Sequence, residues 1–333
     1  MAVQRIGKLI PPNNKGNEVR DKNLWIDYIE LVCIYSYDGE MSRDDMIDEI
    51  GQIAKDYINE NKTDGTDDED SSEADIKWSN MAYDWLEFLK SRQEIYGNFY
   101  PYQVDGDMLK LKSKITRKRK IYIALLLSSN LNNSTNNATS KLTSSFEYIS
   151  LKAFKEVLPK RAKSFLFGKN QLNHGNKFSG KLIAKIKKLG VELGDLATTY
   201  NEDDFDSRDS GDGGLDLFGY IPLDSRNKLN IPIFFGQCAC GKDWKRKIAE
   251  CEPAVWNDNL EFNKTSKPYP MIFIPRSYRT LDGEWLINRK HRNAIIFDRE
   301  RILNNLTKSS NEFIDRLPAN QIINDILTNK IPF

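Results

Sequence analysis

The sequence predicts a mixed α/β protein, with a helical accessory region over 1–98 leading into an α/β domain over 99–333. Three observations predict it. Apolar residues recur at helical spacing through the N-terminal region. Beyond about residue 214 they give way to short apolar runs bounded by polar turns, the pattern of strands. Within the second region the order helix, strands, helix, strand, helix is that of a mixed sheet flanked by helices.

The N-terminal region reads as three helices. At 23–35 (NLWIDYIELVCIY) and 42–58 the period is helical, and Met46, Ile47, Ile50, Ile53, Ala54, Tyr57 and Ile58 share one face of the second. Ser42 followed by Asp45 forms a capping box with Asp in the usual Glu place, which starts that helix. The acidic run 61–75, rich in Ser and Gly, cannot bury a core and reads as a mobile loop. Ile76, Trp78, Met81, Ala82, Trp85, Leu86 and Leu89 then make the apolar stripe of a third helix.

The second region opens on FYPYQVDGDMLKLK, where Asp105-Gly106 predicts a tight hairpin. A buried helix follows at 121–130, and the polar tract 128–141 reads as a flexible loop. Phe146, Ile149, Leu151, Ala153, Phe154 and Leu158 then predict a helix that stops before Pro159. At 178–189 Leu182, Ile183, Ile186 and Leu189 share one face, with Lys181, Lys185, Lys187 and Lys188 around the other. Such a helix is either lysine-coated surface or a contact for a phosphate backbone. Strands are expected at 215–223, 231–235, 271–274 and 294–297, and helices at 244–251 and 299–308.

Composition excludes several function classes. The net charge of +1 hides an acidic run at 64–75 and a basic run at 110–120, so overall charge does not identify a partner. The longest apolar run, Ile121 to Leu127, is far shorter than the roughly 20 residues that cross a bilayer, so no membrane partner is expected. Four cysteines without a regular spacing fit a reducing cytoplasm rather than a secreted disulfide framework. His174 and His291 both sit in polar contexts, which leaves little for histidine-based nucleophilic chemistry. Gly211, Gly213, Gly214 and Gly219 precede no GK[ST] element, so nucleotide hydrolysis through a phosphate-cradling loop is not indicated.

The most informative stretch is 211–243, GDGGLDLFGYIPLDSRNKLNIPIFFGQCACGKD. It sets Asp216 at the start of one apolar strand and Gln237-Cys238 at the end of the next. Adjacent strands of a hairpin would bring these residues side by side. Phosphodiester hydrolysis requires a carboxylate that holds a metal, further oxygen donors, and a cation against the developing charge. Asp216 offers the carboxylate, Gln237 an amide oxygen and Cys238 a peptide carbonyl, an oxygen set that suits Mg²⁺. Lys242 is the nearby candidate cation. Cys238, Cys240 and Cys251 offer a different reading, thiolate ligands of a zinc-stabilised module.

At these residues the chain resembles the PD-(D/E)xK nuclease superfamily, the restriction-endonuclease-like fold, in the Mrr-like branch whose strand motif begins with Gln. GGLDLFGY is similar to that branch's GxDxxG element, with Asp216 as the motif Asp, and IFFGQCACGK is similar to its vQcK element. The resemblance covers about 147–274. It implies a Mg²⁺-dependent DNA endonuclease, with Mn²⁺ able to substitute, in which Asp216 and Gln237 bind the metal. It also implies a metal-reaching Glu on the first core helix, for which Glu147 in the stretch LTSSFEYISLKAFKEVLP is the match, with Glu192, Asp209 and Asp212 as rivals. The motif lysine position falls on Ala239, so Lys242 is taken as its replacement, with Lys245 behind it. Lys181, Lys185, Lys188 and Lys245 are the candidate nucleic-acid contacts.

By analogy with nuclease domains carrying helical extensions, the expected role is a cytoplasmic anti-phage defence or restriction effector acting on DNA. Its N-terminal region is expected to contact a partner protein or a second copy of the chain. Ala239 motivates the alternative, a catalytically inactive subunit of the same fold that acts in DNA binding or complex assembly.

Overall fold

The structure, a computed structural model of the chain, describes residues 9, 11–12, 19–60, 71–168, 177–199, 211–225, 230–241, 244–262, 267–286 and 293–329. The chain divides into two compact units, one comprising 1–135, 278–286 and 320–333 and the other 136–277 and 287–319. The boundary expected at 98/99 therefore falls inside the first unit, which also takes in the hairpin and the helix after it.

In the first unit, α1 (Val19–Tyr35) leads through β1 (Glu40–Ser42) to α2 (Arg43–Glu60), and α3 spans Ser71–Tyr96. The α2 start is the capping box the sequence predicts. The Asp45 amide donates to Ser42 Oγ (3.1 Å) and the Ser42 amide to the Asp45 carboxylate (2.8 Å). Of the expected acidic loop, 61–70 lie outside the described residues, while 71–75 belong to α3. On α3, Ala82, Trp85, Leu86 and Leu89 are buried, but Ile76 is exposed.

The hairpin pairs β2 (Tyr102–Asp105) with β3 (Met108–Leu111), turning at Gly106 with φ of 58°. Glycine adopts that conformation without strain. Strand β1 adds to β3 to complete a three-stranded antiparallel sheet, and α4 (Arg117–Ser128) follows. The core of this unit encloses charge. Arg92 meets Asp27 at 2.7 Å and Glu30 at 2.9 Å, and the hydroxyls of Tyr100 and Tyr122 both donate to Glu30 at 2.8 Å.

In the second unit, α5 runs over Asn136–Val157. It begins inside the tract expected to be a loop, because Ala138 and Leu142 are buried and extend its apolar stripe by two turns. A five-stranded sheet follows in the order β4 (Lys163–Leu166), β5 (Leu217–Tyr220), β6 (Ile233–Cys238), β7 (Tyr269–Phe273) and β8 (Ile295–Phe297). Strand β5 runs antiparallel to both its neighbours, β4 and β6, and β6, β7 and β8 are parallel. Helix α6 (Leu182–Glu192) lies between β4 and β5 in the chain. Helix α7 (Trp244–Lys247), a 3₁₀ segment (Ile248–Cys251) and α8 (Pro253–Trp256) lie between β6 and β7.

Side-chain alternation splits the sheet residues between two cores. Phe154 of α5 packs on Phe234 (5.8 Å) and Phe273 (6.3 Å). On the other face Phe218 and Phe235 join Phe178, Leu182, Ile186, Leu189 and Trp256 in an apolar cluster. The chain continues through α9 (Arg299–Asn305) to α10 (Pro318–Asn329), a helix beyond the last one expected; from Asn320 onward α10 belongs to the first unit. Among the described residues no helix is long and apolar enough to cross a membrane.

Candidate active site

Asp216 stands where three strands end. Its amide donates to the Gly236 carbonyl (3.0 Å), and its carbonyl accepts from the amide of Phe167, the residue just past β4 (2.7 Å). Strands β5 and β6 pair as far as Leu217 opposite Gly236, so Asp216 and Gln237 each stand one residue beyond the last pair of that register. The hairpin reading of the sequence thus brings its two principal residues to neighbouring positions.

The side chain of Asp216 is 5% exposed. One carboxylate oxygen accepts from the Cys238 amide at 2.7 Å. The other faces Gly168, where an added Cβ would lie 3.2 Å from Asp216 Oδ1 and 3.6 Å from Asp212 Oδ2. Glycine at 168 thus leaves room for two carboxylates that a larger residue would crowd. The approach loop is equally tight, because a Cβ on Gly214, at φ of 78°, would lie 2.5 Å from the Cβ of Glu250. Asp212 Oδ1 accepts from the Gly214 amide at 2.9 Å and holds this turn.

Among the described residues, negative charges outweigh positive ones around Asp216. Burial pushes the Asp216 carboxyl well above the usual carboxylate range, and the charges of Glu147 and Asp212 push it further in the same direction. The Cys238 amide and Lys247 oppose that shift. Glu147 projects from α5 and also raises the thiols of Cys238 and Cys240, for which burial is the larger cause. The structure therefore favours Glu147 over its rival Glu192. Glu192 is buried at the far end of α6, where it accepts from the Tyr220 hydroxyl and pairs with Lys177. Asp209 lies outside the described residues, whereas Asp212 is part of the cluster.

Gln237 is 3% exposed, and its Oε1 is buried with no hydrogen-bond partner among the described residues. A buried amide oxygen without a partner costs about 1–3 kcal/mol, which a ligand donating to or coordinated by that oxygen would offset. Cys238 makes its contact with Asp216 through its amide, not through the carbonyl assigned to it as a metal ligand. By alternation its thiol lies on the Gly236 side of β6, the side facing α5, and Gln237 lies on the Phe235 side.

Among the described residues, no three His, Cys, Asp or Glu side chains are close enough to form a ready-made metal group. A site here would need an amide or backbone oxygen to complete it. Carboxylates plus an amide oxygen are donors that Mg²⁺ and Mn²⁺ accept, and the unpartnered Gln237 oxygen fits such an ion. None of the four cysteines is in a disulfide.

The lysines divide sharply. Lys185 is 1% exposed, its Nζ donates to the Gly211 carbonyl, and it lies 5.4 Å over the Phe167 ring. It therefore belongs to the buried stripe of α6 with Leu182, Ile186 and Leu189, not to a phosphate-contacting face. Lys181 and Lys188 are exposed and Lys245 is partly so. Lys242, His174 and His291 lie outside the described residues. Lys247, exposed at the end of α7, acts on Asp216, Cys240 and Cys251 alike. It stands ten residues beyond Gln237 and has no motif spacing, so the sequence alone does not mark it.

No family model matches the chain, and no curated protein or solved structure matches it either.

Proposed function

We propose that the chain is a metal-dependent endonuclease that hydrolyses DNA phosphodiester bonds. The observation that carries this reading is the buried Asp216 carboxylate, on which the charges of Glu147 and Asp212 act, at an end of the sheet where the neighbouring strand carries Gln237 with a buried, unpartnered amide oxygen. Carboxylates packed without a full countercharge disfavour one another, and a divalent cation relieves that repulsion while using the amide oxygen. Mg²⁺ or Mn²⁺ bound there would polarise a phosphoryl oxygen and lower the pKa of a bound water.

Asp216, Glu147 and Gln237 would hold the ion, and Asp212 would add charge from the approach loop. The Cys238 amide fixes one oxygen of Asp216, so the acid needs no reorganisation when a ligand arrives. The α/β architecture, with a mixed sheet between α5 and the α6–α8 cluster, supports the restriction-endonuclease-like fold inferred from GGLDLFGY and IFFGQCACGK. A cytoplasmic role in anti-phage defence or restriction, and a partner or second copy at the N-terminal unit, belong to the same proposal by analogy.

The test is plasmid cleavage with Mg²⁺ or Mn²⁺ by the wild type and Asp216→Ala. We expect a loss of about 10³-fold or more, since the variant lacks the principal metal carboxylate. Equal cleavage by both proteins rejects the reading. Ala239, 1% exposed and with its amide on the Phe273 carbonyl, places no cation at the motif lysine position. That observation favours the second reading, a catalytically inactive subunit of this fold, under which the wild type binds DNA and cuts none.

A further inference from the structure

A lysine on the buried side of a helix calls for a physical reason. Lys185 is buried on α6 together with Leu182, Ile186 and Leu189. Taking an ammonium out of water is costly, and a leucine at this position would continue the apolar stripe without that cost. The Lys185 Nζ donates to the Gly211 carbonyl and lies 5.4 Å from the centre of the Phe167 ring. A hydrogen bond from a charged donor is roughly twice as strong as one between neutral groups, so this contact holds the Gly211 backbone firmly.

Both contacts fall on segments that shape the surroundings of Asp216. The amides of Phe167 and Gly168 donate to the Asp216 carbonyl at 2.7 and 3.3 Å. Gly211 leads into a turn in which the Leu215 amide donates to the Asp212 carbonyl (3.1 Å) and the Gly214 amide to Asp212 Oδ1 (2.9 Å). Within that turn Gly213 has φ of 61°, and a Cβ on it would lie 3.6 Å from Leu182 of α6 and from Trp256. Helix α6 therefore holds the turn at two places, by Lys185 on the Gly211 carbonyl and by Leu182 against Gly213. The outcome is seen at Gly168, where one point, that of an added Cβ, is 3.2 Å from Asp216 Oδ1 and 3.6 Å from Asp212 Oδ2. Carboxylates brought together disfavour one another, so the turn that carries Asp212 needs a tie from outside it.

We infer that Lys185 is a positioning residue of the site, the tie that keeps the Asp212 carboxylate beside that of Asp216. It acts through the Gly211 backbone and not on an ion or a substrate. With the turn held against α6, a divalent cation meets both carboxylates at once and the chain spends nothing on gathering them. The identity of that cation rests on the nuclease reading; the placement of Asp212 by Lys185 does not.

The experiment measures Mn²⁺ binding by calorimetry on the full chain, in the wild type, Lys185→Met, Asp212→Asn and the double variant. Asp212→Asn retains an acceptor for the Gly214 amide and loses the charge; it is expected to weaken Mn²⁺ binding about tenfold. Lys185→Met retains the apolar stem and releases the Gly211 carbonyl, and is expected to weaken it about fivefold. The double variant should bind no more weakly than Asp212→Asn alone, because the placement of a neutral side chain no longer matters to the ion. A lysine that only stabilised the fold would lower the affinity by the same factor in both backgrounds.

Unchanged Mn²⁺ affinity in Lys185→Met overturns the inference, and so does an equal loss with and without the Asp212 charge. If Lys185→Met melts below the assay temperature, Lys185→Gln, a shorter and neutral donor, takes its place in the same cycle and is judged by the same two outcomes. A wild type that binds Mn²⁺ with the expected coupling between Lys185 and Asp212 but cuts no DNA removes the nuclease reading and leaves the positioning role standing. A wild type that cuts DNA, beside Lys185 variants that bind Mn²⁺ as it does, removes the inference alone. A wild type that binds no Mn²⁺ removes both.

Discussion

The amide of Cys238 donates to the carboxylate of Asp216 at 2.7 Å, so the end of β6 holds the acid that opens β5. This one bond ties the two sequence elements of the candidate site together. It also leaves the second carboxylate oxygen beside Gly168, within reach of the Asp212 carboxylate.

Stability is expected to fall with rising pH on account of Asp216. Its carboxyl is raised in the folded chain, first by burial and then by Glu147 and Asp212, so folding favours the protonated acid. That contribution is fully present below the ordinary carboxylate pKa of about 4 and is lost as pH rises through the raised folded value. Asp216→Asn removes the dependence and should be more stable than wild type by about 1 kcal/mol at neutral pH, with the gap closing in acid. Calorimetry at several pH values measures this, and a gap independent of pH would count against it.

Gln237→Met replaces a buried amide whose Oε1 is unpartnered with an apolar side chain of similar length. Intrinsic stability should stay within about 1 kcal/mol of wild type, since the desolvated oxygen disappears with the substitution. The rise in Tm that Mn²⁺ produces should shrink, because binding to the native state is what stabilises it. An undiminished Mn²⁺ shift removes Gln237 from the ligand set.

The lysines of α6 should separate by role. Lys185→Met loses the bond to the Gly211 carbonyl and the contact over Phe167, and should cost about 1–3 kcal/mol with no effect on the salt slope of DNA binding. Replacing the exposed Lys181 and Lys188 together with Ala should do the reverse, lowering the slope by up to about two at constant Tm. Urea denaturation and salt-titrated anisotropy distinguish the two patterns.

Arg92→Met should be among the most damaging substitutions in the first unit. It leaves Asp27 and Glu30 buried without the guanidinium that meets both, at an expected cost of about 3–5 kcal/mol. Adding Glu30→Gln should recover part of that loss, and full additivity in chemical denaturation would argue that the three groups are not coupled.

Local chemistry made much of the architecture readable in the sequence. The Ser42–Asp45 capping box, the turn at Gly106, the period of α1 to α4 and the four apolar strands depend on neighbours within a few residues. Periodicity also contained the truth about Lys185, which falls at the buried i+3 position between Leu182 and Ile186. Its charge pointed to the surface, and the Gly211 carbonyl together with the Phe167 ring decided otherwise.

The remainder waited on the tertiary structure. Strand β4 has only four residues and no clear alternation; it exists because Lys163 to Leu166 pair with β5. The local sequence matched Glu147 but left Glu192 as a rival, and it gave no mark to Lys247. Those choices depend on which helix crosses the end of which strand, and pairings between residues distant in the chain set that. The sequence by itself determined most of the helices, the hairpin, the four apolar strands and the place of Asp216 at the head of one of them, because helical and strand periods are local. Only the tertiary structure decided which charges surround that acid, because burial and electrostatic proximity arise from long-range packing.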